Sequence, residues 1–525
     1  MLQQRFRSAV AGARSRSRVG YRTFQASVEP VLTRAPRVHR FAEVPVLGEP
    51  RTPVEPVAVC VVPADRPSDR ALDSLARQTR APAEIVHGAP GEALARIRAP
   101  WIAFVDARDR LAASALERLG QAASLAPDAA VITCDEDEQG PFGRTAPRLR
   151  PGPSPDFLLE SDVAGGLICV RRDRFDDAAA GGAWPYRLVL SLAGPDGGGQ
   201  AHVPAVLHHA PHGRQVSHHA EAARAVLQTH EASARMDELS RGRRQVRRDL
   251  TGEPSVEFLI LFRDGAALLQ RCVESLLRET AYERFRIHLV DNGSEKWETH
   301  VLLDRLKRHV RLRVTREERP FNFAALNNAA VRGSTADFLL FLNNDTEVIA
   351  PDWLELLLEH AQRPQVGAVA PLLLYGDGRV QHAGAALGMH DYAGHPFAGL
   401  KPDQPTAYGS ATDGTRNWLA VTAACMLVER RKFEEVGGFD ESFVVAGNDV
   451  DLCLRLTRSG YRSLCVTHAR MLHHEGRSRG DYIDPGDFER SQQSYGDFRT
   501  IGDPFYNPAL TLRRTNCGLR EPEEM

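Results

Sequence analysis

Lysine is nearly missing from this 525-residue chain: among 66 basic residues only Lys296, Lys307, Lys401 and Lys432 are lysines. With arginine in their place the charge is unaffected, so the bias reads as coding preference and not as chemistry. A formal net charge of −2 removes the basic excess that a nucleic-acid partner requires. The eight cysteines are scattered without a CxxC pair, which argues against a thiol-ligated metal or a disulfide framework. Several sit inside apolar runs, such as Cys60 in VAVCVV and Cys425 in VTAACMLV, as buried free thiols of a reducing compartment would. No run approaches the roughly 18–20 apolar residues of a membrane span. The N-terminal MLQQRFRSAVAGARSRSRVGYR has arginines but no apolar core of a secretory signal. Its basic character leaves two readings, a disordered arm or an arm lying on an anionic membrane surface.

What the chain does have is alternation. After an Arg- and Pro-rich tail and linker (1–52), short apolar runs alternate with helical patterns: VAVCVV, RALDSLARQ, AEIVHG, WIAFVDA and ASALERLGQAASL. A polar, helix-prone connector (213–253) ends in RGRRQVRRD, and the alternation then restarts with VEFLILF, ALLQRCVESLLRE, FRIHLVDNGS and DFLLFL. Such a pattern predicts α/β layers around a largely parallel sheet. The halves also echo each other. ALDSLARQT answers CVESLLRET, and WIAFVDARDRLAASALERL answers DFLLFLNNDTEVIAPDWLEL, which reads as an internal duplication. The domains expected are 53–212 and 254–505, with 506–525 as a C-terminal tail.

Ligands of open α/β sheets collect outside the carboxyl ends of the strands. LVDNGS puts Asp291 at one such end, followed by a tight turn. FLLFLNNDTEV puts Asp345 at another, and one carboxylate plus substrate phosphates is a common arrangement for Mg²⁺. A surface turn is the plain alternative for either. In GNDVDLCLRLTRSG, Asp449 and Asp451 fall in the first turn of a helix, where the helix dipole favours carboxylates and where Asn448 or Asp449 could equally be a cap. His473 and His474 close the apolar segment ending in MLHH.

These clusters, in this order, resemble the family 2 glycosyltransferases over about residues 254–500. FNFAALNNAAVRGSTADFLLFLNNDTEV, PLLLYGDGRVQHAGAALG, VTAACMLVERRKFEEVGGFDE, GNDVDLCLR and LHHEGRSRG are similar to the cell-surface polysaccharide branch, including its rhamnosyltransferase-like members. The resemblance implies two tandem GT-A domains (Rossmann-like α/β/α sandwiches with a mixed, mostly parallel sheet). It implies an inverting, metal-dependent transfer from a nucleotide-diphosphate sugar to a glycan or lipid-linked glycan hydroxyl. Asp291, Gly293, Ser294, Arg263, Asn328, Asn343 and Asn344 are then expected around the donor. Asp345 would hold Mg²⁺ or Mn²⁺ with His473, placed five residues before Ser478, or with His474. Asp449 would be the catalytic base with Asp451 beside it, and Trp418 and Asp440 would face the acceptor. A cytoplasmic enzyme, at most peripheral at the inner membrane face, is implied. The chain departs from the family after its first strand, where Leu261-Phe262-Arg263-Asp264 replaces the usual Pro-Thr.

Residues 57–210 resemble the same family in weakened form. DARD (106–109) puts Arg108 where a metal-binding acid is expected, and PYRLVLS has Pro185 and Arg187 in place of the base motif's carboxylates. An arginine can neither ligate a cation nor accept a proton at neutral pH, so this half is expected to be a non-catalytic copy. A rival from another class is a scaffold that binds nucleotide sugar or glycan without turnover. A nucleotidyltransferase would need a Gly- and Lys-rich phosphate loop, which LILFRDGAALL lacks.

Overall fold

A computed structural model describes residues 18–40, 46–49, 52–63, 68–175, 185–213, 219–474 and 484–525. The chain divides into two units. The first takes residues up to Val246 together with Pro405–Asp413 and Ile501–Met525, and the second takes Arg247–Gln404 and Gly414–Thr500.

In the first unit, β1 (Val57–Val62), β2 (Ile85–His87), β3 (Trp101–Asp106), β4 (Arg110–Leu111), β5 (Val131–Gly140), β6 (Ile168–Arg171) and β7 (Gln200–Pro211) line up as β2-β1-β3-β6-β5-β7-β4. The pairs β1/β2, β1/β3 and β5/β7 are parallel, whereas β3/β6, β5/β6 and β4/β7 are antiparallel.

The tail of the sequence reading is partly built into this unit. Helix α1 (Arg18–Ser27) buries Tyr21 and Phe24, and Tyr21 Oη donates to Asp137 on β5 at 2.7 Å. The reading of that arm as membrane-binding falls mainly on residues 1–17, which lie outside the described residues. The expected connector is helix α2 (Ala220–His230) followed by a hairpin (Arg235–Glu238 with Arg244–Arg247). The expected C-terminal tail packs too: Leu510, Cys517 and Leu519 are buried, and Asn507 Nδ2 donates to Asp135 at 2.8 Å.

The second unit holds β8 (Val256–Phe262), β9 (Phe285–Asp291), β10 (Leu312–Arg316), β11 (Phe338–Asn343), β12 (Thr346–Val348), β13 (Val366–Leu374), β14 (Arg416–Trp418), β15 (Cys425–Glu429) and β16 (Arg462–His473). Their order is β10-β9-β8-β11-β15-β13-β16-β12, with β14 also on β16. Order and polarity repeat those of the first unit, with edge strand β10 added. The half from β10 to β11 is parallel, and β15 turns the sheet antiparallel. Strands such as VEFLILF are apolar on consecutive residues because both sheet faces are covered. One cover is α3 (Ala266–Glu279), which buries Leu269, Cys272, Val273 and Leu276, the spacing of a single helical stripe, and α4 (Phe323–Val331) and α5 (Trp353–Ala361) follow it in the chain. All eight cysteines are free and buried.

Candidate active site

Strand β11 enters from the core and stops at Asn343. Asn344 and Asp345 make the turn into β12, and Thr346 Oγ1 closes it by donating to the Asn343 carbonyl at 3.0 Å. Pairing of β12 with β16 sets His473 opposite Thr346. His473 Nε2 consequently stands 3.2 Å from Asp345 Oδ1 and 3.2 Å from Asn343 Nδ2. The histidine is 4% exposed, and its Nδ1 meets no partner. Burial alone would raise the Asp345 pKa, but the hydrogen bond and charge of His473 outweigh it, and the net shift is downward.

Two adjacent ligands of an octahedral cation at about 2.1 Å stand roughly 3 Å apart, so this carboxylate and imidazole have the separation of a ligand pair. Among the described residues no group of three or more His, Cys, Asp or Glu converges to hold a metal. The remaining ligands would come from substrate and water, as is usual for Mg²⁺. His474 faces elsewhere: its Nε2 pairs with Glu347 Oε2 at 2.8 Å. Ser478, which set the expected register of the histidines, lies outside the described residues.

Asp449 heads helix α6 (Asn448–Arg458), whose N-cap is the left-handed Gly447. Its Oδ2 accepts from Ala423 N–H at 3.1 Å and its Oδ1 from Val450 N–H at 2.9 Å. The neighbouring Ala424 carbonyl accepts from Asn343 N–H at 2.9 Å. A continuous path therefore runs from Asp449 through the Ala423–Ala424 backbone to Asn343, His473 and Asp345. The two acids named from separate motifs share one edge of the sheet. Asp451 is committed otherwise, with Arg455 Nε at 2.8 Å on one oxygen and Ser494 Oγ at 2.5 Å on the other.

At the next strand end, Asp291 is buried. Its carboxylate accepts from Ser294 N–H at 2.8 Å and pairs with Arg316 Nη1 at 3.0 Å. Gly293 supplies the left-handed residue of that turn (φ +76°). Ser294 Oγ accepts from Asp264 N–H at 2.8 Å and so ties this turn to the loop after β8. In that loop Arg263 is exposed and pairs with Glu295 at 3.2 Å.

Asn328, expected at the donor, is turned to the VGGFDE loop. Its amide donates to the Phe439 carbonyl at 2.9 Å and accepts from Phe439 N–H at 3.0 Å. Asp440 caps the next turn by accepting from Ser442 N–H at 2.9 Å. Trp418 does not face an acceptor. It is 1% exposed on β14, wedged against Gly384, whose missing Cβ would fall 2.1 Å from the indole nitrogen. Arg316 escaped the sequence reading, although it ends the strand RLRVTR and pairs in register with Asp291. A rule that compares ends of neighbouring parallel strands finds it.

The second unit is thus a mixed α/β sheet with acids and an imidazole gathered at its carboxyl edge. The family model "Glycosyl transferase family 2" matches residues 258–436. The chain is 32% identical over 233 residues to an N-acetylglucosaminyl-diphospho-decaprenol L-rhamnosyltransferase of Mycobacterium tuberculosis, covering 40% of this chain and 73% of that protein. It belongs to glycosyl transferase family 2.

It is also 38% identical over 458 residues to the O-antigen biosynthesis protein RfbC of Myxococcus xanthus, covering 83% of this chain. The chain spans only about a third (36%) of that relative's length. Rhamnosyltransferase WbbL of Escherichia coli is 28% identical over 179 residues, 30% of this chain and 64% of that protein. A solved structure of GalNAc-T7 with UDP, GalNAc and Mn²⁺ overlays 47% of this chain and 49% of that one at 19% identity and a TM-score of 0.39, too partial a likeness for inference.

Proposed function

We propose that the second unit transfers a sugar, with inversion, from a nucleotide-diphosphate donor to a hydroxyl of a glycan or lipid-linked glycan in cell-surface polysaccharide assembly. The observation that carries this reading is the hydrogen-bonded path joining Asp449 to Asp345 across the carboxyl edge. The acceptor hydroxyl must lose its proton as it bonds to the anomeric carbon, and Asp449, half-buried on that edge and held by two backbone amides, is the acid we assign to take it. A single in-line displacement needs one base and no protein nucleophile, in contrast to the two close carboxyls of a retaining hydrolase. Asp451, held by Arg455 and Ser494, orients the helix that carries the base.

Asp345 and His473 would hold Mg²⁺ or Mn²⁺, with Asn343 and Asn344 on the same turn. A divalent cation supplies Lewis-acid stabilisation to the negative charge that builds on a leaving diphosphate. The Asp291–Ser294 turn, with Arg316 at its back and Arg263 at its rim, supports recognition of the nucleotide. Asp440 and the loop pinned by Asn328 line the acceptor side.

The names of the relatives favour a rhamnosyl-type sugar and a polyprenyl-diphosphate-linked acceptor. Such an acceptor would bring the chain to a membrane face. Among the described residues no helix is long and apolar enough to cross a membrane. We read the first unit as a duplicated copy without catalysis: Arg108 folds back bidentate on Asp106, at 2.9 and 2.8 Å.

The test is release of nucleotide diphosphate by purified protein given dTDP-rhamnose or UDP-sugars, a polyprenyl-diphosphate GlcNAc acceptor and Mn²⁺. Release that depends on acceptor and stops with chelator is expected. Binding of donors without any turnover would make the chain a scaffold and end the catalytic reading.

A further inference from the structure

The loop that delivers Asp449 is held by an acid outside the donor, metal and base motifs. Helix α7 (Pro485–Ile501) turns Asp487, Ser491, Tyr495 and Phe498 inward. Asp487 is 1% exposed and accepts from three consecutive backbone amides: Val444 N–H on Oδ1 at 2.7 Å, and Val445 and Ala446 N–H on Oδ2 at 2.9 and 2.8 Å. Gly447 follows in the left-handed region (φ +82°), and then α6 begins with Asn448 and Asp449.

Gly447 is pressed against α7. A Cβ there would lie 2.2 Å from Tyr392 Oη and 3.1 Å from Tyr495 Oη. The Tyr392 ring is itself stacked on Phe488 and edge-on to Tyr495, with centroids 6.1 and 6.0 Å away. Seven residues after Asp487, Ser494 Oγ donates to Asp451 at 2.5 Å, so the same helix holds the base-bearing segment at two points, before and after Asp449 in the chain. A carboxylate is suited to this task because its two oxygens offer about four lone pairs and no donor, whereas an amide would present N–H groups to N–H groups.

We propose that Asp487 is a positioning residue for transfer: by gathering the 444–446 amides it fixes the entry of α6 and hence the place of the Asp449 carboxylate. The inference rests on the reading of Asp449 as the base. Misplacing a reacting group by about 1 Å can cost on the order of 100-fold in rate.

The test uses the full chain with Asp487→Asn and Asp487→Glu. For Asp487→Asn, kcat should fall about 10- to 100-fold with the donor KM within about twofold, and Asp487→Glu should recover part of the loss. Hydrogen exchange, read without substrate, should speed up at 444–446 in Asp487→Asn and spread to 447–451. A residue that matters only for stability would lower Tm and leave kcat per folded molecule alone, and that result would overturn the proposal. Unchanged exchange at 447–451 would overturn it as well. If the wild-type chain turns over no donor at all, the catalytic reading fails by itself, and the exchange measurement still decides whether Asp487 sets the conformation of the Asp449 turn.

Discussion

His208 offers the sharpest electrostatic prediction. It is 1% exposed on β7, with Nε2 2.7 Å from Asp109 and Nδ1 3.0 Å from Glu136. Burial alone would lower the imidazole pKa from 6.5, but Asp109 and then Glu136 outweigh it and push it up to about 9. A pKa raised on folding adds stability that is complete below the unfolded value and drains away as pH rises through the folded one. At about 1.4 kcal/mol per unit, the rise from 6.5 to about 9 is worth roughly 3 kcal/mol. His208→Gln removes the charge and leaves donors for only one of the two carboxylates. It should destabilise the first unit by about that amount at pH 6, and the gap between wild type and variant should shrink steadily between pH 6.5 and 9. Native-state hydrogen exchange of peptides from β5 and β7 reads this unit separately from the other. A gap that stays constant or widens toward pH 9 would refute a charged His208.

Three further outcomes are expected. Asp449→Asn should cut transfer about 10²- to 10⁴-fold, the usual worth of a general base, while nucleotide-diphosphate affinity measured by calorimetry stays the same. His473→Ala should raise the Mn²⁺ concentration needed for half-maximal activity at least about tenfold, because it would remove one of the two protein ligands proposed among the described residues, and a metal titration decides it. Gly384→Ala drives a methyl into the Trp418 indole at a backbone φ of +112°, so the second unit should lose at least about 1–3 kcal/mol in urea unfolding.

What the sequence made legible was local. Asp291 and Asp345 sit where apolar runs stop, and periodicity put Asp449 in the first turn of a helix, as found. What stayed hidden depends on partners far along the chain. Trp418 looks available for an acceptor until β16, some 45 residues later, pairs with β14 and buries it. Asn328 reads as a donor contact until its amide meets Phe439, 111 residues away. Helix α1 was obscured by composition: Tyr21, Phe24 and Val28 recur at helical spacing and are all buried, but the arginines around them read as a disordered arm. Asp487 has no local signature, since a carboxylate that accepts three backbone amides is recognisable only once the loop has folded against it.

The two sheets, alike in strand order, show what separates an acid that forms a site from one that forms structure. On the first, Asp106 is closed by Arg108, Asp109 and Glu136 share His208, and Asp137 is held by Tyr21, Arg144 and His209. Each carboxylate there has an opposite charge or a donor in contact, so the edge has little net field with which to attract a cation. On the second, Asp345 is partnered by His473, whereas Asp291 is paired with Arg316 much as the first sheet's acids are paired. An imidazole, unlike a guanidinium, has a neutral form with a lone pair to offer a metal. On the first sheet the histidines are closed as well, His208 between two carboxylates and His209 on Asp137, so the type of cation alone does not separate the two edges. The proposed difference in catalysis between the two units thus rests on how the edge acids are partnered and not on how many there are.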